Sequence, residues 1–212
     1  MTRTRALRRW WLRRKTRDGE WAGLLRPPPP GEWVSLDLET TGLDPKRDHI
    51  LSLAAVPVRD GRVLTSERFE RRIRAERAFG IESIRHHRIT PEEAAGGVSV
   101  TTAVREFLQW LEGRTLLGYH LAFDLRMLSP HVRALTGFGL PNPRVDLAEA
   151  FAARARRARP DVPPNLDFPH IADTLGIPVL GRHTALGDAG TVGLCWLALQ
   201  APARGKAAPE RR

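Results

Sequence analysis

The sequence predicts a mixed α/β sheet with helices packed on its faces. Three observations predict it. Three strand-like stretches come in succession, at 33–38, 50–58 and 62–73. Helical and strand-like stretches then alternate as far as residue 200, the order of a layered α/β domain. The chain has 212 residues, 42% of them hydrophobic, enough to bury one sizeable core.

Each element has a local reason. Residues 27–30 are four prolines, a stiff spacer that Gly31 hinges into the domain. In 33–38, Val34, Leu36 and Leu38 alternate with polar positions and form the core-facing set. The stretch 50–58 is almost wholly apolar, as expected near the middle of a sheet. Asp60-Gly61 turns the chain and 62–73 returns as a more polar strand, so the three form an antiparallel meander. Thr90 caps a short helix that Pro91 opens. Val100, Val104, Phe107, Leu108 and Leu111 recur at helical spacing, and Gly113 ends that helix. A short buried strand at 115–119 and another at Val145 bring the sheet to five strands. Helices are expected at 121–128, 147–158, 168–175 (stopped by Gly176) and 185–200.

The formal charge of +10 sits at the ends. Residues 1–26 hold nine Lys or Arg against Asp18 and Glu20, and 201–212 hold four against Glu210. Between them, 21 basic and 21 acidic residues cancel. The expected organisation is a basic Trp/Arg-rich arm at 1–26, a proline linker at 27–32, the domain at 33–200 and a polar basic tail at 201–212. The arm lacks the apolar stretch of a twin-arginine export signal, because Lys15-Thr16-Arg17-Asp18-Gly19 interrupts it. Its Leu7, Trp10, Trp11 and Leu12 either pack on the domain as one side of an amphipathic helix, or bring Trp10 and Trp11 among arginines to nucleic acid or an anionic membrane surface. No stretch approaches the roughly 18 uncharged apolar residues of a membrane span. Cys195, the one cysteine, makes no internal disulfide and no structural zinc site. A soluble cytoplasmic protein is expected.

Chemistry concentrates in three places. In Asp37-Leu38-Glu39-Thr40-Thr41-Gly42, strand periodicity points Asp37 and Glu39 to the same face. Two neighbouring carboxylates repel, and desolvation raises the cost; hard divalent cations remove it. A bare Asp-x-Glu is more often a solvated edge, but Thr-Thr-Gly following it argues otherwise. Asp124 ends an apolar strand-to-helix passage and falls in the helix's first turn, where by itself it is an ordinary N-terminal acid. His183 lies in a glycine-flanked loop five residues before Asp188, and by itself reads as a surface histidine.

Together, "DLETTGL" at 37–43, "FD" at 123–124 and "HTALGDA" at 183–189 resemble the three motifs of the DnaQ-like 3′–5′ exonucleases of the DEDDh group, of which the DNA polymerase III epsilon subunit is one. The likeness covers about 33–200. It implies a ribonuclease H-like fold and removal of nucleotides from a 3′ end. Asp37, Glu39, Asp124 and Asp188 would then hold two divalent ions, Mg²⁺ or Mn²⁺, and His183 would be the general base. Two ions bind the attacking and leaving oxygens of an in-line displacement, and four carboxylates balance their charge. A histidine on a flexible glycine-flanked loop can close over substrate and take a proton near neutral pH. Thr40, Thr41 and Phe123 would contact the terminal nucleotide. Leu43 either packs against its base or closes the core behind the turn.

Two positions depart from the pattern. The asparagine of "N-x-x-F-D" is His120 here, still a hydrogen-bond donor at a substrate-facing slot but of different shape. In 85–90, Arg88 replaces the glycine of "H-G-I-T". The tail shows no apolar-aromatic clamp-binding peptide, so a stand-alone exonuclease or a proofreading-type module without the usual tether is expected, with polymerase association left open. Single-stranded DNA is favoured as substrate. The alternatives are an exoribonuclease of the same family and a non-catalytic nucleic-acid-binding module.

Overall fold

The structure, a computed structural model, describes residues 19–77, 79–80, 83–84 and 87–201. The amphipathic helix expected around Trp10 and Trp11, Arg85 and His86, and the tail from 202 lie outside the described residues. The strands are β1 Trp33–Thr40, β2 Ile50–Arg59, β3 Arg62–Val63, β4 Phe69–Arg72, β5 Thr115–Gly118 and β6 Arg144–Asp146. The helices are α1 Pro91–Ala95, α2 Val100–Leu111, α3 Ala122–Thr136, α4 Leu147–Ala158, α5 Phe168–Thr174 and α6 Ala185–Gln200.

The sheet runs β3-β2-β1-β5-β6, with β4 also on β2. β2 is antiparallel to β1, whereas β5 and β6 continue parallel to β1. The mixed α/β architecture is therefore as expected, with one difference. The third strand is split: β3 pairs Val58 and Arg59, β4 pairs Ser52 to Ala55, and a short 3-10 turn at Thr65–Glu67 lies between. Pro57 explains the gap. Its carbonyl accepts from the Leu64 N–H on this edge, and the same edge is where its missing N–H would have donated.

Alternation along the strands divides the core in two. Val34, Leu36 and Leu38 of β1 and Leu116 of β5 pack with α2 and α3, while Leu117 and Val58 pack with α4, α5 and α6 on the other face. Such burial on both faces is what parallel central strands require. The capping box at α1 is complete: Thr90 Oγ1 accepts from the Glu93 N–H and Glu93 accepts from the Thr90 N–H. Helix α3 runs eight residues beyond its expected end at 128, straight through Pro130. Pro130 is exposed, so the helix loses one hydrogen bond, while buried Met127, Leu128 and Val132 carry the packing across it.

The stretch assigned to the basic arm contributes to the core. Trp21, Leu24 and Leu25 are buried around a 3-10 turn at Ala22–Leu25, against α2. Arg26 pairs with Glu112 at 2.8 Å, Glu20 pairs with Arg105, and the Arg105 guanidinium lies 5.5 Å from the centre of the Trp21 ring. Among the described residues no helix is long and apolar enough to cross a membrane.

Candidate active site

β1 is flanked by β2 and β5, and its C-terminal end carries Asp37 and Glu39. Immediately after Glu39 the register with β2 slips: Glu39 faces Ser52, but Thr40 faces Ile50. Pairing continues past this bulge, the Thr41 N–H donating to the His49 carbonyl at 2.9 Å, before the chain turns. The Thr40 hydroxyl donates to the Gly42 carbonyl at 2.7 Å. The Thr41 hydroxyl donates to Asp48 Oδ1 at 3.0 Å and accepts from the His49 N–H at 2.9 Å. Asp48 Oδ2 also accepts from the Asp44 N–H at 2.8 Å. A Cβ on Gly42 would stand 2.6 Å from the Asp48 carboxylate, so a side chain at the third position of Thr-Thr-Gly would displace it. Both threonine hydroxyls are thus engaged inside the turn. Leu43 is 80% exposed, so it does not close the core.

Asp124 is the third residue of α3 and is buried, at 4% exposure. The passage into α3 is held by Asp146, a residue that motif reading does not single out. Its Oδ2 accepts from the Leu121 N–H at 2.8 Å, and its Oδ1 accepts from the Ala148 N–H at 2.9 Å as the N-cap of α4. One carboxylate therefore joins the loop before Asp124 to the next helix. His120 adopts φ 50° there, a left-handed backbone that asparagine tolerates better than most residues. Phe123 packs half-buried against the core beside it.

Asp188 lies in the first turn of α6, and the segment before it folds back onto that turn. The His183 backbone N–H donates to Asp188 Oδ2 at 3.3 Å, so the main chain at His183 lies beside that carboxylate. Thr184 caps α6, accepting from the Gly187 N–H and donating to the Gly181 carbonyl. The Leu180 N–H donates to the Thr191 hydroxyl at 3.0 Å. A Cβ on Gly187 would overlap the carbonyls of Gly181 and Leu180. The glycines here serve close backbone approach, and the loop is pinned at several points rather than free. Arg182 adds a contact absent from the motif: its guanidinium lies 3.3 Å from Asp188 Oδ1 and 5.0 Å from the centre of the Phe168 ring.

Carboxylate oxygens of Asp37, Glu39 and Asp188 come within 4.8 Å of one another, and these three can hold a metal ion together. Asp124 adjoins the set without being part of it; among neighbouring charges it raises the Asp37 pKa most. Burial pushes Asp37 well above the usual carboxylate range, and Asp124, Glu39 and Asp188 push it further. Burial, then Asp188, lifts Glu39 to about 7, with Arg182 pulling the other way. Burial lifts Asp124 to about 8 against hydrogen bonds from the Asp124 and Leu38 backbone. An all-oxygen donor set whose charges are this costly fits a hard divalent cation.

The exonuclease family RNase_T matches residues 34–193, which spans all of these positions. The chain belongs to the DnaQ-like exonuclease family. A DNA polymerase III subunit epsilon-like protein of Rhodobacter capsulatus is 33% identical over 177 residues, covering 81% of this chain and 24% of that protein. A PolC-type DNA polymerase III of Thermotoga petrophila is 29% identical over 157 residues, covering 74% of this chain and 11% of that protein. The chain thus spans a quarter or less of these DnaQ-like relatives. E. coli exonuclease I in complex with a dT13 oligonucleotide superposes with a TM-score of 0.64 at 19% identity, over 79% of this chain and 40% of that one. The fold is ribonuclease H-like, as in other DnaQ-like exonucleases.

Proposed function

We propose that this chain is a metal-dependent 3′–5′ exonuclease of the DEDDh type, acting on single-stranded DNA in preference to RNA. The observation that carries it is the convergence of Asp37, Glu39 and Asp188 from β1 and α6, with buried Asp124 of α3 adjoining. Relatives named for DNA polymerase III and the oligonucleotide complex of exonuclease I favour DNA. Asp37, Glu39, Asp124 and Asp188 would hold two divalent ions, Mg²⁺ or Mn²⁺. Bound there, the ions supply charge stabilisation for the attacking and leaving oxygens.

The chain's own groups do the rest. The His183 imidazole takes the proton of the attacking water. The P–O3′ bond breaks, releasing a nucleoside 5′-monophosphate and a strand shorter by one nucleotide, whose new 3′-hydroxyl takes its proton from solvent. Thr40, Thr41, His120 and Phe123 position the terminal nucleotide. With the threonine hydroxyls engaged in their turn, backbone groups make the Thr40–Thr41 contact. Leu43, exposed at the turn's tip, packs on the terminal base, a contact tolerant of sequence.

A 5′-labelled strand incubated with Mg²⁺ or Mn²⁺ tests this, with DNA and RNA in parallel. Stepwise shortening from the 3′ end, faster on DNA and abolished by chelator and by Asp37→Ala, is the expected result. Binding without metal and without shortening identifies a non-catalytic module instead.

A further inference from the structure

Helix α3 leads away from the carboxylates, and one narrow stripe of it is unlike the rest. At about 100° per residue, Ala122, Arg126, Ser129 and Arg133 fall within about 60° of one another. Arg126 and Arg133 are exposed, opposite the buried side that carries Asp124, Leu128 and Val132. Two hollows lie along this stripe. The nearer, about 650 Å³, runs from His120 and Phe123 past Arg126 to Arg156 on α4. The farther, about 220 Å³, is lined by Ser129, Arg133 and Arg144 and contains no carboxylate.

The charges along it are not neutralised. On the opposite edge of the sheet, Arg59, Arg68 and Arg71 are paired with Glu67, Glu70 and Glu106. Arg126, Arg133, Arg144 and Arg156 pair with no carboxylate among the described residues; Arg133 is only oriented, its Nε donating to Ser129 Oγ at 3.3 Å. In the nearer hollow Asp146 spends its oxygens on backbone N–H groups, and Glu149 is the remaining acid. The near end is therefore mixed in charge and the far end purely cationic.

We propose that this face of α3 is the track for the single strand upstream of the reacting 3′ end, its phosphates held by Arg126, Arg156, Arg133 and Arg144 in turn. The inference rests on the nuclease reading above. The hollow is lined at one end by His120 and Phe123, which the nuclease reading places on the terminal nucleotide, so on that reading the next phosphates lie over this stripe. Arg126 and Arg133 are seven residues apart, about 10 Å along the axis, the span of about three stacked nucleotides at about 3.4 Å each. Guanidinium groups suit phosphate geometry, and contacts to phosphate alone make the track indifferent to sequence.

The test measures binding of 5′-fluorescein-labelled strands of three and twelve deoxynucleotides in chelator, so that the strands stay intact. For the variant Arg133→Ala/Arg144→Ala, affinity for the longer strand falls about tenfold and the slope of log affinity against log salt becomes shallower by about 1.4. The shorter strand changes less than twofold. The companion variant Arg133→Lys/Arg144→Lys keeps the charges and restores the slope. An unchanged slope and affinity for the longer strand overturns the track, as does an equal loss for both lengths. If the unaltered protein shortens strands from the 3′ end while the variants keep its length and salt dependence, only the track falls; if it neither binds nor shortens them, the nuclease reading falls too.

Discussion

Burial strengthens the hold of Asp37, Glu39 and Asp124 on their protons, and a cation would compete with those protons for the same oxygens. With Glu39 near 7 and Asp124 near 8, against ordinary values near 4 in the unfolded chain, the folded protein binds more protons between about pH 4 and 8. The stability these groups contribute is therefore present at the acid end of that window and lost as pH rises through 7 and 8. Melting temperatures in chelator and in Mn²⁺ should diverge as pH rises from 5 to 8.5; a gap independent of pH would count against the shared carboxylate site. His120 makes a second prediction. Its left-handed backbone suits asparagine, so His120→Asn should melt with the parent, while the β-branched His120→Val should lose about 1–2 kcal/mol in denaturant unfolding. The candidate acids stood out through the resemblance of three short motifs to the DnaQ-like family; periodicity alone put only Asp37 and Glu39 on one face. Asp48, Asp146 and Arg182 did not stand out, since their roles come from partners that only folding brings near.

At the scale of elements, close approach decides more than propensity. Helix α6 and the loop carrying His183 meet backbone to backbone at Gly187. Gly187→Ala should displace that loop, costing about 1–3 kcal/mol in stability and most of the turnover of a labelled strand. Retained turnover would mean the loop's placement is unimportant for the chemistry. Helices α4 and α6 span the expected residues, and the side chains of Asp146 and Thr184 cap their N-termini. The broken third strand and the long α3 were harder to read, for opposite reasons. Pro57 weakens the pairing of its neighbour, not of its own strand, and Pro130 sits on a solvent face where tertiary packing outweighs one lost hydrogen bond.

For the whole molecule, the boundary of the core is the main surprise. A charge-rich N-terminal stretch reads as an appendage, yet Leu24 and Leu25 are each only 1% exposed. Leu24→Ala should cost about 2–5 kcal/mol in denaturant unfolding, as a buried core residue does. A deletion ending at residue 26 should lower the melting temperature by several degrees, whereas one ending before Gly19 leaves the docked turn in place. If the two deletions melt alike, the turn is not part of the cooperative unit.

The sequence by itself determined the mixed sheet and most helices, because periodicity and caps are local; it offered the acids as candidates through the resemblance of three short motifs. It did not determine which side chains share a cation, how tightly the His183 loop is pinned, or that an N-terminal turn completes the core. Those depend on distances between residues far apart along the chain, and on the desolvation that burial imposes once they meet.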